Sequence, residues 1–132
     1  METIYQKIAD QIQKMIPEKW SSAYLYAEKW ADYDTVYFYY YPENDIKALL
    51  HYEITERFQV DSTEFEHLED KLRDAILLLY EKLVSQEEEP WTCMTFILKS
   101  TGEFQIEYGY QDQSLLGPVE KRGLWKERHS IH

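Results

Sequence analysis

Two neighbouring segments decide the fold: AYLYAEKW at residues 23–30 and TVYFYYY at residues 35–41. In the first segment, small or apolar residues alternate with tyrosine and glutamate, and this period of two is typical of a β-strand. The second segment is β-branched or aromatic throughout, a composition that favours strands. Residues 32–34, Asp-Tyr-Asp, indicate a turn between them. We therefore expect two adjacent strands here.

Helical spacing is found on both sides of these strands. Apolar residues recur at three- and four-residue steps from Ile4 to Met15, which predicts an amphipathic helix. A longer helix is predicted from a cap at Asp61 or Ser62, because apolar residues from Phe65 to Leu83 keep the same spacing. Gly117-Pro118 opens a short basic helix. Three helices are thus expected.

Three further segments alternate as strands do. They run from Ile46 to Ile54, from Trp91 to Lys99 and from Phe104 to Tyr110, with a tight turn at Ser100-Thr101-Gly102. The order is α-β-β-β-α-β-β-α, and the short connections favour antiparallel pairing. The sequence therefore predicts an α+β fold, a single mainly antiparallel five-stranded sheet with helices packed on one face, in one domain spanning residues 1–132.

The alternation also assigns residues to the two faces of the sheet. The apolar face is predicted to hold Ala23, Leu25, Ala27, Val36, Phe38, Ala48, Leu50, Met94, Phe96, Leu98, Phe104 and Ile106. The opposite face is predicted to hold Tyr24, Tyr26, Glu28, Tyr37, Tyr39, Tyr41, His51, Glu53, Glu103 and Glu107. A sheet face that lacks helical cover and carries many aromatic residues is a candidate interface, although tyrosines also pack well across strands.

The charge balance indicates the class of partner. Asp and Glu number 25 against 14 Lys and Arg, for a net charge of -11. The residues from Gly117 onward hold four of the basic side chains and only two acidic ones, so the acid is concentrated before them. Such a surface repels nucleic-acid phosphates and anionic lipid, and it attracts a basic protein. We expect a basic protein partner, with no direct nucleic-acid or membrane binding.

No catalytic or metal-binding pattern stands out. His51, His67, His129 and His132 lack the spacing of zinc ligands, and the isolated glycines form no phosphate loop. Cys93, the single cysteine, lies in a predicted strand without an identifiable basic partner, so we interpret it as a packed residue. We expect no enzyme activity and no cofactor. The lone thiol, the lack of a secretory signal and the short apolar runs favour the cytoplasm.

An ordered set of short motifs resembles the YezG/EsaG-like immunity (antitoxin) family of Gram-positive bacteria. The motifs are Tyr5-Gln6-Lys7-Ile8-Ala9, Met15-Ile16-Pro17-Glu18-Lys19-Trp20, Tyr24-Leu25-Tyr26-Ala27-Glu28, Val36-Tyr37-Phe38-Tyr39-Tyr40, Glu89-Pro90-Trp91-Thr92, Ser100-Thr101-Gly102 with Phe104, Glu120-Lys121-Arg122 and Trp125-Lys126. The resemblance runs nearly from end to end. It is weakest between Asp45 and Glu88.

The resemblance implies a cytoplasmic protein that neutralises a cognate toxin. Toxins of this family are typically nucleases with LXG-type or related export domains, released through a type VII secretion system. The family implies no catalytic residues. From the face assignment alone we predict that the partner-binding residues are Tyr24, Tyr26, Glu28, Tyr37, Tyr39, Tyr41, Glu53, Glu103 and Glu107.

Two other functions remain open at the level of sequence. The chain could be a general interaction adaptor without a toxin partner, or a small ligand-binding domain or enzyme. The last would need a concave polar pocket with converging titratable groups. A tyrosine-rich sheet face could also pair with a second copy of the chain.

Overall fold

A computed structural model describes residues 2–30, 33–112 and 115–132. Within these residues the helices are α1 (Glu2–Met15), α2 (Ile54–Arg57), α3 (Ser62–Ser85) and α4 (Pro118–Arg128). The strands are β1 (Trp20–Trp30), β2 (Tyr33–Pro42), β3 (Leu49–Leu50), β4 (Cys93–Lys99) and β5 (Phe104–Gly109). They form one antiparallel sheet in the order β3-β2-β1-β4-β5. The predicted α+β class, the sheet and the order of the long elements are confirmed.

The two segments that decided the fold form the centre of the sheet. Leu25 of β1 lies opposite Phe38 of β2 on one side and Phe96 of β4 on the other. Asp32, in the predicted turn, lies outside the described residues, and Tyr33 and Asp34 already belong to β2. The strands are therefore longer than predicted.

Helices α1 and α3 cover the apolar face of the sheet. Ile8 and Ile12 of α1 and Leu79 of α3 are fully buried with Leu25 and Phe96 in one apolar cluster. Each such side chain contributes about 1.5–3 kcal/mol when it leaves water. This cluster is the main core, and the helical and strand periodicities of the sequence predicted it correctly.

The start of α3 agrees with its predicted cap. Asp61 has an extended backbone, and its side chain accepts a hydrogen bond of 3.0 Å from the Thr63 N–H. That bond satisfies one of the N–H groups that the first helical turn leaves unpaired. The long helix therefore begins immediately after Asp61.

The predicted third strand is present but far shorter than expected. Only Leu49–Leu50 pair with β2, and a 3-10 turn (His51–Glu53) and α2 follow them. The Glu53 carboxylate accepts a bond of 2.9 Å from the Leu50 N–H, which favours the helical turn. The His51 side chain accepts from the Phe38 N–H at 3.1 Å and lies beneath α3, so it is buried on the apolar side.

The register of β3 is also one residue away from the prediction. Leu49 lies opposite Tyr40 and joins the main core, whereas Ala48 and Leu50 face the other side of the sheet. Because side chains alternate, a slip of one residue exchanges the two faces. The assignment of Ala48 and Leu50 to the apolar face was therefore wrong.

Candidate protein-binding surface

The predicted tyrosines do share one face of β1 and β2. Tyr24 lies opposite Tyr39, and Tyr26 lies opposite Tyr37. Together with Tyr41 they pack in a second cluster, separate from the main core. We call these five residues the tyrosine face. The period of two in the sequence was sufficient to predict their common side.

The tyrosine face is not an open surface, because α4 lies on it. The Trp125 ring is 5.5 Å from the ring of Tyr26, 5.6 Å from that of Tyr37 and 6.3 Å from that of Tyr39, measured between centroids. Its Nε1–H donates a bond of 3.0 Å to the Thr95 hydroxyl. Tyr26, Tyr37 and Tyr39 are only 5–7% exposed. The expectation of an uncovered second face was therefore wrong.

The basic residues of α4 explain why it covers this face. The Arg122 guanidinium lies 4.7 Å from the centre of the Tyr37 ring, and the Lys126 ammonium lies 4.7 Å from that of Tyr39. Each cation–π contact contributes about 0.5–2 kcal/mol, more as water is excluded. The aromatic, acidic face does meet a cationic helix, and that helix belongs to the same chain.

Glu28 joins α4 to the sheet by a buried ion pair. It is 2% exposed, and its carboxylate accepts from the Tyr26 hydroxyl, from Trp30 Nε1–H at 2.7 Å and from Lys121 Nζ at 2.9 Å. Burial acts to raise the pKa of this carboxyl, but the three donors outweigh burial and lower it. Glu28 is therefore a charged, structural contact in the free protein.

Burial also suppresses ionisation of the phenols on this face. The pKa of Tyr26 is raised well above its ordinary value, first by burial and then by the bond that it donates to Glu28. Burial likewise raises the pKa of Tyr37, although the Arg122 cation opposes the rise. Both rings therefore pack as neutral phenols, and the Tyr26 hydroxyl donates to Glu28.

The remaining predicted contact residues are more accessible but do not form one patch. Tyr24 and Tyr41 are half-buried beside the C-terminal residues, and the Tyr41 hydroxyl accepts from the His132 N–H at 3.1 Å. Glu53 lies beyond β3 at one side of the sheet. Glu103 is exposed in the turn between β4 and β5, and Glu107 lies on β5 at the other side. The structure brings the tyrosines together and separates these three carboxylates.

A further exposed acidic region lies outside the sheet, on α3. Exposed carboxylates follow the outer side of α3 and continue into the residues after it: Glu66, Asp70, Asp74, Glu81, Glu87, Glu88 and Glu89. Helix α4 adds exposed Glu120 and Glu127 and one exposed cation, Arg128, while its lysines at 121 and 126 turn toward the sheet. The i, i+4 spacing of acidic residues on α3 was the signal that could have revealed this region.

The depressions of the surface offer little for small-molecule chemistry. One of about 660 Å³ is shallow and lies between the end of α1 and the turn after β2, where Glu18 already accepts from the Tyr40 hydroxyl at 2.7 Å. A smaller cavity of about 110 Å³ lies beside Cys93 under α4. Burial raises the pKa of the Cys93 thiol, which makes it a poor nucleophile.

Residues 2–30, 33–112 and 115–132 contain no group of three His, Cys, Asp or Glu side chains placed to hold a metal ion. In the same ranges no helix has both the length and the apolar character that crossing a bilayer requires. No metal site is proposed for this chain.

Comparison with known proteins identifies the family. The family described as "Immunity protein YezG-like" matches residues 1–130. Two proteins named "Immunity protein YezG" are similar to this chain. The one from Bacillus spizizenii strain W23 is 35% identical over 95% of this chain and 79% of that protein. The one from Bacillus subtilis strain 168 is 28% identical over 98% of this chain and 87% of that protein. The "Type VII secretion system protein EsaG" of Staphylococcus aureus strain NCTC 8325 is 25% identical over 97% of this chain and 80% of that protein. The chain therefore belongs to the YezG-like immunity protein family.

Proposed function

We propose that this protein is a cytoplasmic immunity protein that binds and neutralises a cognate secreted nuclease toxin. Membership of the YezG-like family supports the immunity role, and the relative named for type VII secretion supports an exported toxin. The chain acts as one domain, by binding and without catalysis of its own. The observation that carries the choice of a basic partner is the acidic exterior on α3 and α4.

The placement of α4 strengthens the charge argument. Lys121 pairs with buried Glu28, while Arg122 and Lys126 lie over tyrosine rings. Much of the basic charge near the C-terminus is therefore used inside the molecule, and the exposed charges of α4 are Glu120, Glu127 and Arg128. A basic nuclease domain would approach a surface dominated by carboxylates.

Such a surface would act in two ways. Complementary charge accelerates the encounter with a basic domain, and the effect weakens as salt screens it. Once bound, the acidic surface would occupy the basic cleft that a nuclease needs for the phosphate backbone. The toxin is then unable to bind its nucleic acid while the complex lasts.

The predicted contact residues now divide into two groups. Glu53, Glu103 and Glu107, with the accessible parts of Tyr24 and Tyr41, remain candidates for direct contact. Tyr26, Glu28, Tyr37 and Tyr39 are buried in the free protein, so a direct contact would require α4 to leave the sheet. We propose that these four residues keep α4 packed on the sheet.

The test is binding and inhibition with the toxin encoded in the neighbouring gene. The purified immunity protein should form a 1:1 complex with that toxin and abolish its nuclease activity, with an association rate that falls as salt rises. A complex that leaves the nuclease fully active would favour the adaptor function. The absence of any complex would contradict the proposal.

A further inference from the structure

The two edges of the sheet differ in how they end. At one edge β3 is two residues long, a 3-10 turn follows it, and the Ala48 N–H donates a bond of 2.7 Å to the His132 carbonyl. At the other edge β5 runs for six residues, and within the described ranges no strand pairs with its outer side. One edge is closed by the chain itself, and the other is open.

The pairing of β4 with β5 identifies the backbone groups that the open edge offers. The Lys99 N–H donates to the Glu103 carbonyl at 2.8 Å, so Glu103 directs its backbone groups toward β4. In an antiparallel pair, alternate residues point to the partner strand and the others point away. The outward N–H and C=O groups therefore belong to Phe104, Ile106 and Tyr108.

The β5 edge lacks several of the features that usually prevent strand addition. Residues 104–109 contain no proline and no lysine, and the register with β4 is continuous without a bulge. Tyr5 of α1 also supports the strand from the apolar side, through a hydroxyl contact of 3.0 Å with Tyr108 and a ring contact with Phe104. The edge therefore has no bulge or proline to prevent pairing, and α1 holds it in place before any partner arrives.

The charges around this edge select its occupant. Carboxylates outnumber cations near β5. Glu2 lies beside Phe104, and the charge of Glu88 is close enough to raise the pKa of Tyr108. Glu103 and Glu107 add two more carboxylates, and the nearby cations are Lys99 and Arg128. A second copy would add another chain of charge -11 and place the same acidic residues against each other. A basic segment gains both the backbone bonds and the opposite charge.

We propose that the β5 edge binds an extended, basic segment of the toxin, which adds a sixth strand to the sheet. The inference rests on the proposed function, because the toxin is its occupant. Alternate backbone groups of the added strand would bond to Phe104, Ile106 and Tyr108. Basic side chains of the added strand on the α4 side of the sheet would lie near Glu103 and Glu107, and Glu107 already contacts Arg128 at 3.9 Å in the free protein.

Residue-resolved amide hydrogen exchange tests the backbone contact. In the free protein, the amides of Gln105 and Glu107 should exchange slowly because they bond to β4, and those of Phe104, Ile106 and Tyr108 should exchange quickly. With the toxin encoded in the neighbouring gene, exchange of these three amides should slow by about tenfold or more. Gln105 and Glu107 are the internal control within the same strand.

A matched pair of charge reversals tests the occupant. Glu103→Lys adds a cation beside the open edge. Glu56→Lys makes the same change at an exposed position of α2, near the opposite edge. The first should weaken toxin binding by about tenfold, mainly through slower association, and the second by much less. Thermal unfolding checks that both variants keep their fold.

The outcomes separate the two proposals. If the toxin is bound and inhibited but the amides of Phe104, Ile106 and Tyr108 still exchange quickly, strand addition is wrong and the immunity function stands. If these amides are already slow in the free protein and it sediments as a dimer, the edge pairs with a second copy. If no complex forms, both proposals fail.

Discussion

The two faces of the sheet are built from the same alternating strands but are closed in different ways. On one face α1 and α3 pack on aliphatic and phenylalanine side chains, and some of these, such as Leu25 and Phe96, are fully buried. On the other face α4 is held by one tryptophan, a buried ion pair and cations over tyrosine rings. A sheet face rich in tyrosine and acidic residues is therefore not always open to a partner, because a basic helix of the same chain can cover it and pair with its charges.

The largest expected effect is on the apolar face. Phe96→Ala removes a fully buried ring between β1 and β5 and should lower the free energy of unfolding by about 3–5 kcal/mol. Urea denaturation measures the loss. Leu124→Ala, at an exposed site on α4, is the control and should change stability by less than about 0.5 kcal/mol. A similar loss for both variants would contradict the assignment of the core.

The next effect should be confined to the tyrosine face. Trp125→Ala removes the anchor of α4 and should cost about 2–3 kcal/mol, because one aromatic cluster and the Thr95 bond are lost. Amide exchange should quicken in α4 while β4 keeps its protection. Equal loss of protection in both elements would mean that the two faces unfold as one unit.

The Glu28–Lys121 pair predicts a dependence on pH. Since the folded-state pKa of Glu28 is lowered, its contribution is complete above the ordinary glutamate pKa and is lost as pH falls through the lowered value. Glu28→Gln should cost about 1–2 kcal/mol near neutral pH and reduce this acid-dependent loss. Unfolding free energies measured between neutral and strongly acidic pH check it. An unchanged profile in the variant would rule out the ion pair as the cause.

The smallest expected effect is at the border of the tyrosine face. A Cβ added at Gly109 would lie 2.5 Å from the Cys93 Sγ, which is too close. Gly109→Ala should therefore cost about 1 kcal/mol, and the Gly109→Ala, Cys93→Ala double variant should recover part of that loss. Thermal or urea unfolding of the four proteins completes the cycle. Additive losses would exclude this contact as the source.

Local periodicity was sufficient for the elements that bury one face. The spacing in α1 and α3 and the alternation in β1, β2, β4 and β5 predicted both the fold class and the main core. The length of the third strand was overestimated because the His51 side chain takes its partners from β2 and α3, which are distant in sequence. Alternation from Ile46 to Ile54 could not include those contacts.

The position of α4 could not be predicted for a similar reason. Trp125 and the basic residues beside it were visible in the sequence, but their side of the sheet depends on contacts with Tyr26, Tyr37 and Glu28. Long-range contacts between a helix and a sheet leave no local pattern. For the same reason, the pairing of Glu28 with Lys121 could not be predicted from the local sequence.

The central claim is that α4 closes the tyrosine face and that the toxin binds elsewhere on the acidic exterior. Nuclear Overhauser effects from the Trp125 indole to the rings of Tyr26 and Tyr37 test it in the free protein and in the toxin complex. We expect these effects in both states. Their presence in the free protein and their loss in the complex would mean that the toxin displaces α4 and takes the tyrosine face, which would contradict the account.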